Sequence, residues 1–137
     1  MRAIVQLKYG PPESVELAEV PTPEPMEGEV LVRVHAASVN GADIETLSGW
    51  WLVRMASPRR PASRIGGSDV AGVVERVGSG VKELQPGDQV IGDLSEHGFG
   101  AFADYAVAPA GALAPRPPSL TLLEAAAVPS AAWVAIK

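Results

Sequence analysis

Glu29-Val30-Leu31-Val32-Arg33-Val34-His35-Ala36-Ala37-Ser38 is the stretch whose reading decides the fold. Val30, Val32 and Val34 share one face of an extended strand, and Leu31, Arg33 and His35 share the other. Its β-branched residues suit a pleated, half-buried surface. Asn40-Gly41 breaks the strand. Asp43 to Leu47 then has room for one or two helical turns, closed by Ser48-Gly49. A carboxylate at Asp43 would stand over the free amides of that first turn.

Outward from this strand the pattern repeats in short pieces. Ala3 to Leu7 predicts a first strand, turned by Tyr9-Gly10-Pro11-Pro12. Val15, Leu17 and Val20 lie in a second extended stretch, and Pro21, Pro23 and Pro25 hold the following backbone extended with no N–H to donate. Downstream, Val70 to Val77 reads as a strand ending at Gly78-Ser79-Gly80, Gln89 to Gly92 as another after the Pro86-Gly87-Asp88 turn, and Ala101 to Val107 as a third. Ser119 and Thr121 are both N-cap candidates for a helix over Leu122 to Ala127, and Thr121 with Glu124 has capping-box spacing. Six or so short strands between Gly and Pro turns predict a mainly β fold with short helices, a small barrel or sandwich.

Trp50 to Ile65 differs in kind. It holds two tryptophans and Arg54, Arg59, Arg60 and Arg64, four of the chain's 11 basic residues, and none of its 16 acids. It reads as a loop. Its arginines suit either the steering of an acidic ligand or a solvated surface.

Composition sets the outer bounds. The 137 residues are 47% hydrophobic and 20% charged, enough for one packed core. Fourteen glycines and 13 prolines favour strands and turns over a helical bundle. The lack of cysteine removes disulfides, thiolate zinc sites and cysteine nucleophiles. A net charge of −5 argues against a nucleic-acid partner. No apolar run approaches the ~18 residues that span a bilayer. Met1-Arg2-Ala3-Ile4-Val5 enters a strand pattern with no signal-peptide core, so the expectation is a cytoplasmic protein.

The order of motifs carries more than any one of them. Tyr9-Gly10-Pro11-Pro12, Val20-Pro21-Thr22-Pro23-Glu24-Pro25, Gly28-Glu29-Val30-Leu31-Val32-Arg33-Val34 and Val39-Asn40-Gly41-Ala42-Asp43 lead to Gly67-Ser68-Asp69-Val70-Ala71-Gly72. Val77-Gly78-Ser79-Gly80-Val81, Pro86-Gly87-Asp88-Gln89-Val90, Gly100-Ala101-Phe102-Ala103-Asp104-Tyr105 and Glu124-Ala125-Ala126-Ala127-Val128-Pro129 follow. Together they resemble the start of the medium-chain dehydrogenase/reductase superfamily, in its zinc-free quinone oxidoreductase-like branch. The resemblance implies a GroES-like, partly open β-barrel over residues 1–128, the substrate-binding part, with 129–137 beginning the connection to a nucleotide-binding Rossmann domain. No Gly-rich strand–turn–helix of that kind is present in these residues. Gly78-Ser79-Gly80 lacks the third glycine and a long helix behind it.

Residue by residue, the resemblance puts Asn40 where zinc-dependent relatives have a cysteine ligand and Ser68 where they have a histidine. Neither is a normal Zn²⁺ ligand, so no metal is expected. It places Asn40 at the active site, where with backbone amides it would stabilise a developing enolate oxygen, or against the nicotinamide ribose, and it places Ser130 beside the cofactor. Asn-Gly as a simple turn is the competing reading. Asp43 is a helix cap or a substrate contact, and Asp69 is expected to anchor the cleft floor through backbone bonds. Trp50 and Trp51 form either an apolar wall for a flat ring substrate or a plug for the barrel mouth. Trp51 stands where related enoyl-thioester reductases carry a tyrosine proton donor, and Val134 where related reductases carry a cofactor-contacting threonine. Indole and valine supply neither function.

The expected function is the substrate-binding part of a zinc-independent, NADPH-dependent quinone or enone oxidoreductase, inactive as this chain alone. The alternatives are a GroES-like module that binds a ligand or partner without redox work, or a non-redox cyclase or isomerase. A separate Rossmann-domain chain is among the partners the resemblance implies. Apolar Val128 to Ile136 is expected to drive a homodimer.

Overall fold

The computed structural model describes residues 1–136. Its strands are β1 (Arg2–Gln6), β2 (Val15–Glu19), β3 (Glu29–Ala37), β4 (Asp69–Val77), β5 (Gln89–Asp93), β6 (Tyr105–Pro109) and β7 (Leu113–Pro115). Four short helices accompany them: α1 (Gly41–Ser48), α2 (Trp51–Ala56), α3 (Leu122–Ala125) and α4 (Pro129–Ile136). β1 and β2 form a two-stranded sheet, and the other five strands pair in the order β6-β3-β4-β5-β7. Every pairing between these strands is antiparallel.

The β3 pattern explains the main core. Val30 and Val32 are fully buried, and they pack with Val70, Val74, Val90, Leu94 and Ala106 from neighbouring strands and turns. Each such side chain contributes about 1.5–3 kcal/mol by leaving water. A smaller apolar layer lies elsewhere, where Ala125 and Ala126 meet Ala71 and Ile91. Those small residues let α3 approach the sheet closely.

The two sheets stay open and are joined by a few links. Ile4 N–H donates to the Phe102 carbonyl at 2.8 Å, and Gln6 N–H to the Arg64 carbonyl at 2.7 Å. An exposed Arg2–Asp104 ion pair at 3.0 Å lies along the same seam.

Two expectations need correction. Trp50 to Ile65 is not wholly a loop, because Trp51 to Ala56 forms a helix. Leu52, Arg54, Met55 and Ala56 are good helix formers, and Arg54 N–H bonds back to the Trp50 carbonyl at 3.1 Å. The strand read over Ala101 to Val107 is displaced to Tyr105–Pro109. Gly98, Phe99 and Gly100 all have positive φ, and the turn they make directs Ala101 and Phe102 toward the carbonyls of Gly67 and Gly66 instead.

Candidate active-site cleft

Asp69 organises the site. It opens β4, is fully buried, and accepts four hydrogen bonds on its two oxygens. The Ser38 hydroxyl donates to Oδ2 at 2.9 Å and the Asn40 side-chain amide to the same oxygen at 3.2 Å. Ser130 donates to Oδ1 twice, from its backbone N–H at 3.1 Å and its hydroxyl at 2.6 Å. One carboxylate thus ties the end of β3, the entry to α1, the start of β4 and α4. Three of the four donors are side chains, where backbone bonds were expected. Neutral donors on every side satisfy a buried charge that would otherwise cost several kcal/mol.

Asn40 is oriented by this network. Its Nδ2 also lies 3.0 Å from Ser38 Oγ and 3.3 Å from Ser68 Oγ, so its two N–H hydrogens face inward. Contact with the acceptor-only carboxylate of Asp69 fixes which end of the amide is nitrogen. Asn40 Oδ1 faces the Asp43 backbone N–H in the reciprocal cap of α1, short of a well-formed hydrogen bond. What Asn40 offers a ligand is therefore an acceptor.

Asp43 caps α1. Its Oδ2 accepts the Asn40 backbone N–H at 2.8 Å as one half of a reciprocal Asn-x-x-Asp cap. Gly49, in the left-handed conformation, ends the helix. Burial pushes the Asp43 carboxyl above its ordinary range. The amides of Asn40, Gly67 and Ser68 oppose that shift, and the nearby Asp69 charge adds to it. Oδ1 remains buried without a well-formed hydrogen bond of its own, although those amides lie close enough to favour its charged form.

Asp43 also reaches the wall of a cavity of about 130 Å³. The rest of the lining is mostly apolar and includes Val39, Ile44, Leu47, Phe99 and Phe102. The volume is small beside the roughly 300–1,000 Å³ of sites that enclose drug-sized ligands. It suits a compact group. Phe99 holds its ring there from a left-handed backbone, φ 63°, rarely adopted by a bulky residue.

The expected site residues do not all converge. Asn40, Ser130 and Asp43 belong to one connected hydrogen-bond system through Asp69 and the Asn40 amide. Asn40 itself is not among the residues lining the cavity, although Val39 beside it is. Trp50 and Trp51 meet edge to face with ring centroids 5.5 Å apart, and neither lines the cavity. Trp51 is 59% exposed. Phe99 and Phe102 are the aromatic members of the lining, and the glycines around them were the available signal. Among the described residues, no three His, Cys, Asp or Glu side chains gather as a metal-binding group. No helix there is long and apolar enough to cross a membrane.

Open antiparallel sheets, a capped helix after a central strand and a buried aspartate beneath a small apolar cleft define a GroES-like domain. The model of the alcohol dehydrogenase GroES-like domain matches residues 26–118, and the chain belongs to that family, within the medium-chain dehydrogenase/reductase superfamily. The chloroplastic quinone-oxidoreductase of Triphysaria versicolor is 38% identical over 136 residues, covering 98% of this chain and 40% of that protein. The quinone oxidoreductase of Rattus norvegicus is 35% identical over 129 residues, covering 93% and 37%. Among solved structures, the quinone oxidoreductase from Coxiella burnetii superposes with a TM-score of 0.86 at 32% identity, over 99% of this chain and 43% of that one. The Escherichia coli quinone oxidoreductase complexed with NADPH gives 0.79 at 30% identity, over 93% and 37%. The chain spans about 40% of the length of the curated relatives it matches.

Proposed function

We propose that this domain supplies the substrate cleft of a zinc-independent, NADPH-dependent quinone or enone oxidoreductase. The observation that carries the reading is the small apolar cavity beside the Asn40–Asp69–Ser130 network. The cavity takes a flat conjugated carbonyl compound between Phe99, Phe102 and Ile44, where exclusion of water strengthens any polar contact at its rim.

NADPH, when bound, supplies the hydride for the β-carbon of an α,β-unsaturated carbonyl. Asn40 Oδ1, which keeps a lone pair beyond the one facing the Asp43 amide, is an acceptor suited to a ribose hydroxyl, and the Ser130 hydroxyl oxygen can still accept while its proton is held by Asp69. Because Asn40 Nδ2 is already committed, backbone amides rather than Asn40 must donate to the developing enolate oxygen. Among the described residues, Asp43 is the only ionisable acid lining the cavity, and it is occupied as a cap, so the proton comes from water or from outside these residues.

Zinc independence is supported by what fills the expected ligand positions. Asn40 and Ser68 face each other at 3.3 Å as hydrogen-bonding partners. Residues 129–137 serve as the start of the connection to a nucleotide-binding half, which this chain needs for activity. We place the protein in the cytoplasm, as a homodimer built on the exposed apolar side of α4.

The test is to read the coding sequence past codon 137 and assay the product that carries a nucleotide-binding half. NADPH oxidation with a p-quinone or an α,β-unsaturated ketone, independent of chelators, supports the reading. No oxidation with either class of acceptor overturns it.

A further inference from the structure

The arginines of residues 54–64 are left unused by this account. Arg54 has partners: its Nε donates to the Gly49 carbonyl at 2.8 Å and its guanidinium lies 4.6 Å from the Tyr9 ring centroid. The side chains of Arg59, Arg60 and Arg64 have none among the described residues. The ion pairs of the described residues involve Arg2, Arg33 and Arg76, and none of them includes a residue of this segment. In a chain with 16 acidic and 11 basic residues, three unpaired guanidiniums close together in sequence are unexpected.

The backbone carrying them is built rather than loose. The Arg60 carbonyl accepts from the Ser57 hydroxyl at 2.6 Å and from the Tyr9 hydroxyl at 3.0 Å. The Arg64 carbonyl accepts Gln6 N–H at 2.7 Å, which fastens it to β1. Pro61 between them is buried, with its φ fixed by its ring. Arg60, Pro61, Ala62 and Arg64 form one side of a depression of about 410 Å³, and Gln6 and Leu7 form the other. Gln6 also lines the apolar cavity, so the two spaces adjoin across one side chain.

We propose that this depression is a binding site for the phosphate group of a small ligand, held by Arg60 and Arg64. Two guanidiniums with no internal counter-ion match a dianion, and each presents a planar fork suited to phosphate oxygens. A single carboxylate would leave one positive charge uncompensated. The pinned carbonyls hold both arginine backbones in place before the ligand arrives, which lowers the ordering cost of binding. The inference stands apart from the redox reading, since its test measures binding and not turnover.

The experiment is an amide NMR titration of the 137-residue chain with inorganic phosphate and, separately, acetate at matched ionic strength. Phosphate should shift the Leu7, Ala62 and Arg64 amides saturably, at concentrations about tenfold below those acetate requires. Arg60→Gln with Arg64→Gln should raise the half-saturating phosphate concentration about tenfold or more, whereas Arg33→Gln leaves it unchanged. The proposal is overturned if these amides do not respond, if acetate matches phosphate, or if the folded double variant binds like the parent. If the double variant does not fold, the phosphate–acetate comparison on the parent decides the matter.

Discussion

The Ser130 hydroxyl donates to Asp69 Oδ1 at 2.6 Å, joining residues 61 positions apart. This bond and its backbone companion attach α4 to the first residue of β4. The other oxygen of the same carboxylate holds Asn40. Both residues proposed for the cofactor side are thus set by one buried group, which makes Asp69 the shared anchor of Asn40 and Ser130.

Asp69→Asn turns two acceptor oxygens into one acceptor and one donor, facing four existing donors. It should destabilise the domain by about 2–4 kcal/mol, whereas Ser130→Ala should cost about 1 kcal/mol. Urea unfolding of the two variants gives the comparison. Equal losses would show that the carboxylate is not the hub.

Asp43 makes stability depend on pH in a defined direction. Its folded-state pKa is raised by burial above the ordinary value of 3.8, so the folded protein favours the protonated form. The favourable contribution is complete below the unfolded value and is lost as pH rises through the raised folded value. The Asp43→Asn variant keeps an oxygen for the Asn40 amide and has no charge to bury. Parent stability should therefore fall relative to the variant as pH rises from the ordinary carboxylate value of 3.8 through the raised folded one. A difference that is flat, or that moves in the parent's favour, contradicts this assignment.

Gly67 couples the fold to the cavity. Its φ is +91°, and an added Cβ would lie 2.7 Å from the Phe102 ring and 2.8 Å from the Phe102 nitrogen. Gly67→Ala should cost more than about 1 kcal/mol from backbone strain alone. It should also displace the Phe102 ring from the cavity wall. A thermal melt and the chemical shifts of the Phe102 ring report both effects.

On α4, Val134 is 74% exposed and Ile136 84%, and Trp133 beside them is 53% exposed. The proposed dimer buries this apolar surface, so the chain should self-associate at tens of micromolar, roughly where weak interfaces dissociate. Trp133→Ala should shift sedimentation toward monomer. A clean monomer for the parent removes the dimer from the account.

The parts legible in the sequence were those carried by local rules. The Val30-Val32 alternation produced the central strand, Asp43 produced a cap at the start of α1, and Thr121 with Glu124 produced the α3 capping box. Long-range pairings were not legible. Nothing local to Ser130 says that it meets Asp69, and nothing around Phe99 reveals a cavity until the turn of residues 98–100 brings Phe99 and Phe102 against α1. α2 was hidden by its surroundings, because the prolines and arginines after Ala56 obscured one and a half turns of good helix formers.

The claim that this domain provides the substrate cleft is tested most directly by titrating the labelled 137-residue chain with a simple p-quinone and following its amide shifts. The account predicts saturable shifts that cluster at Val39, Ile44, Leu47, Phe99 and Phe102, around the apolar cavity. Phe102→Ala should weaken that binding by about tenfold, as expected for loss of an aromatic wall worth about 1.4 kcal/mol. Shifts that never saturate, or that gather away from these residues, would contradict it.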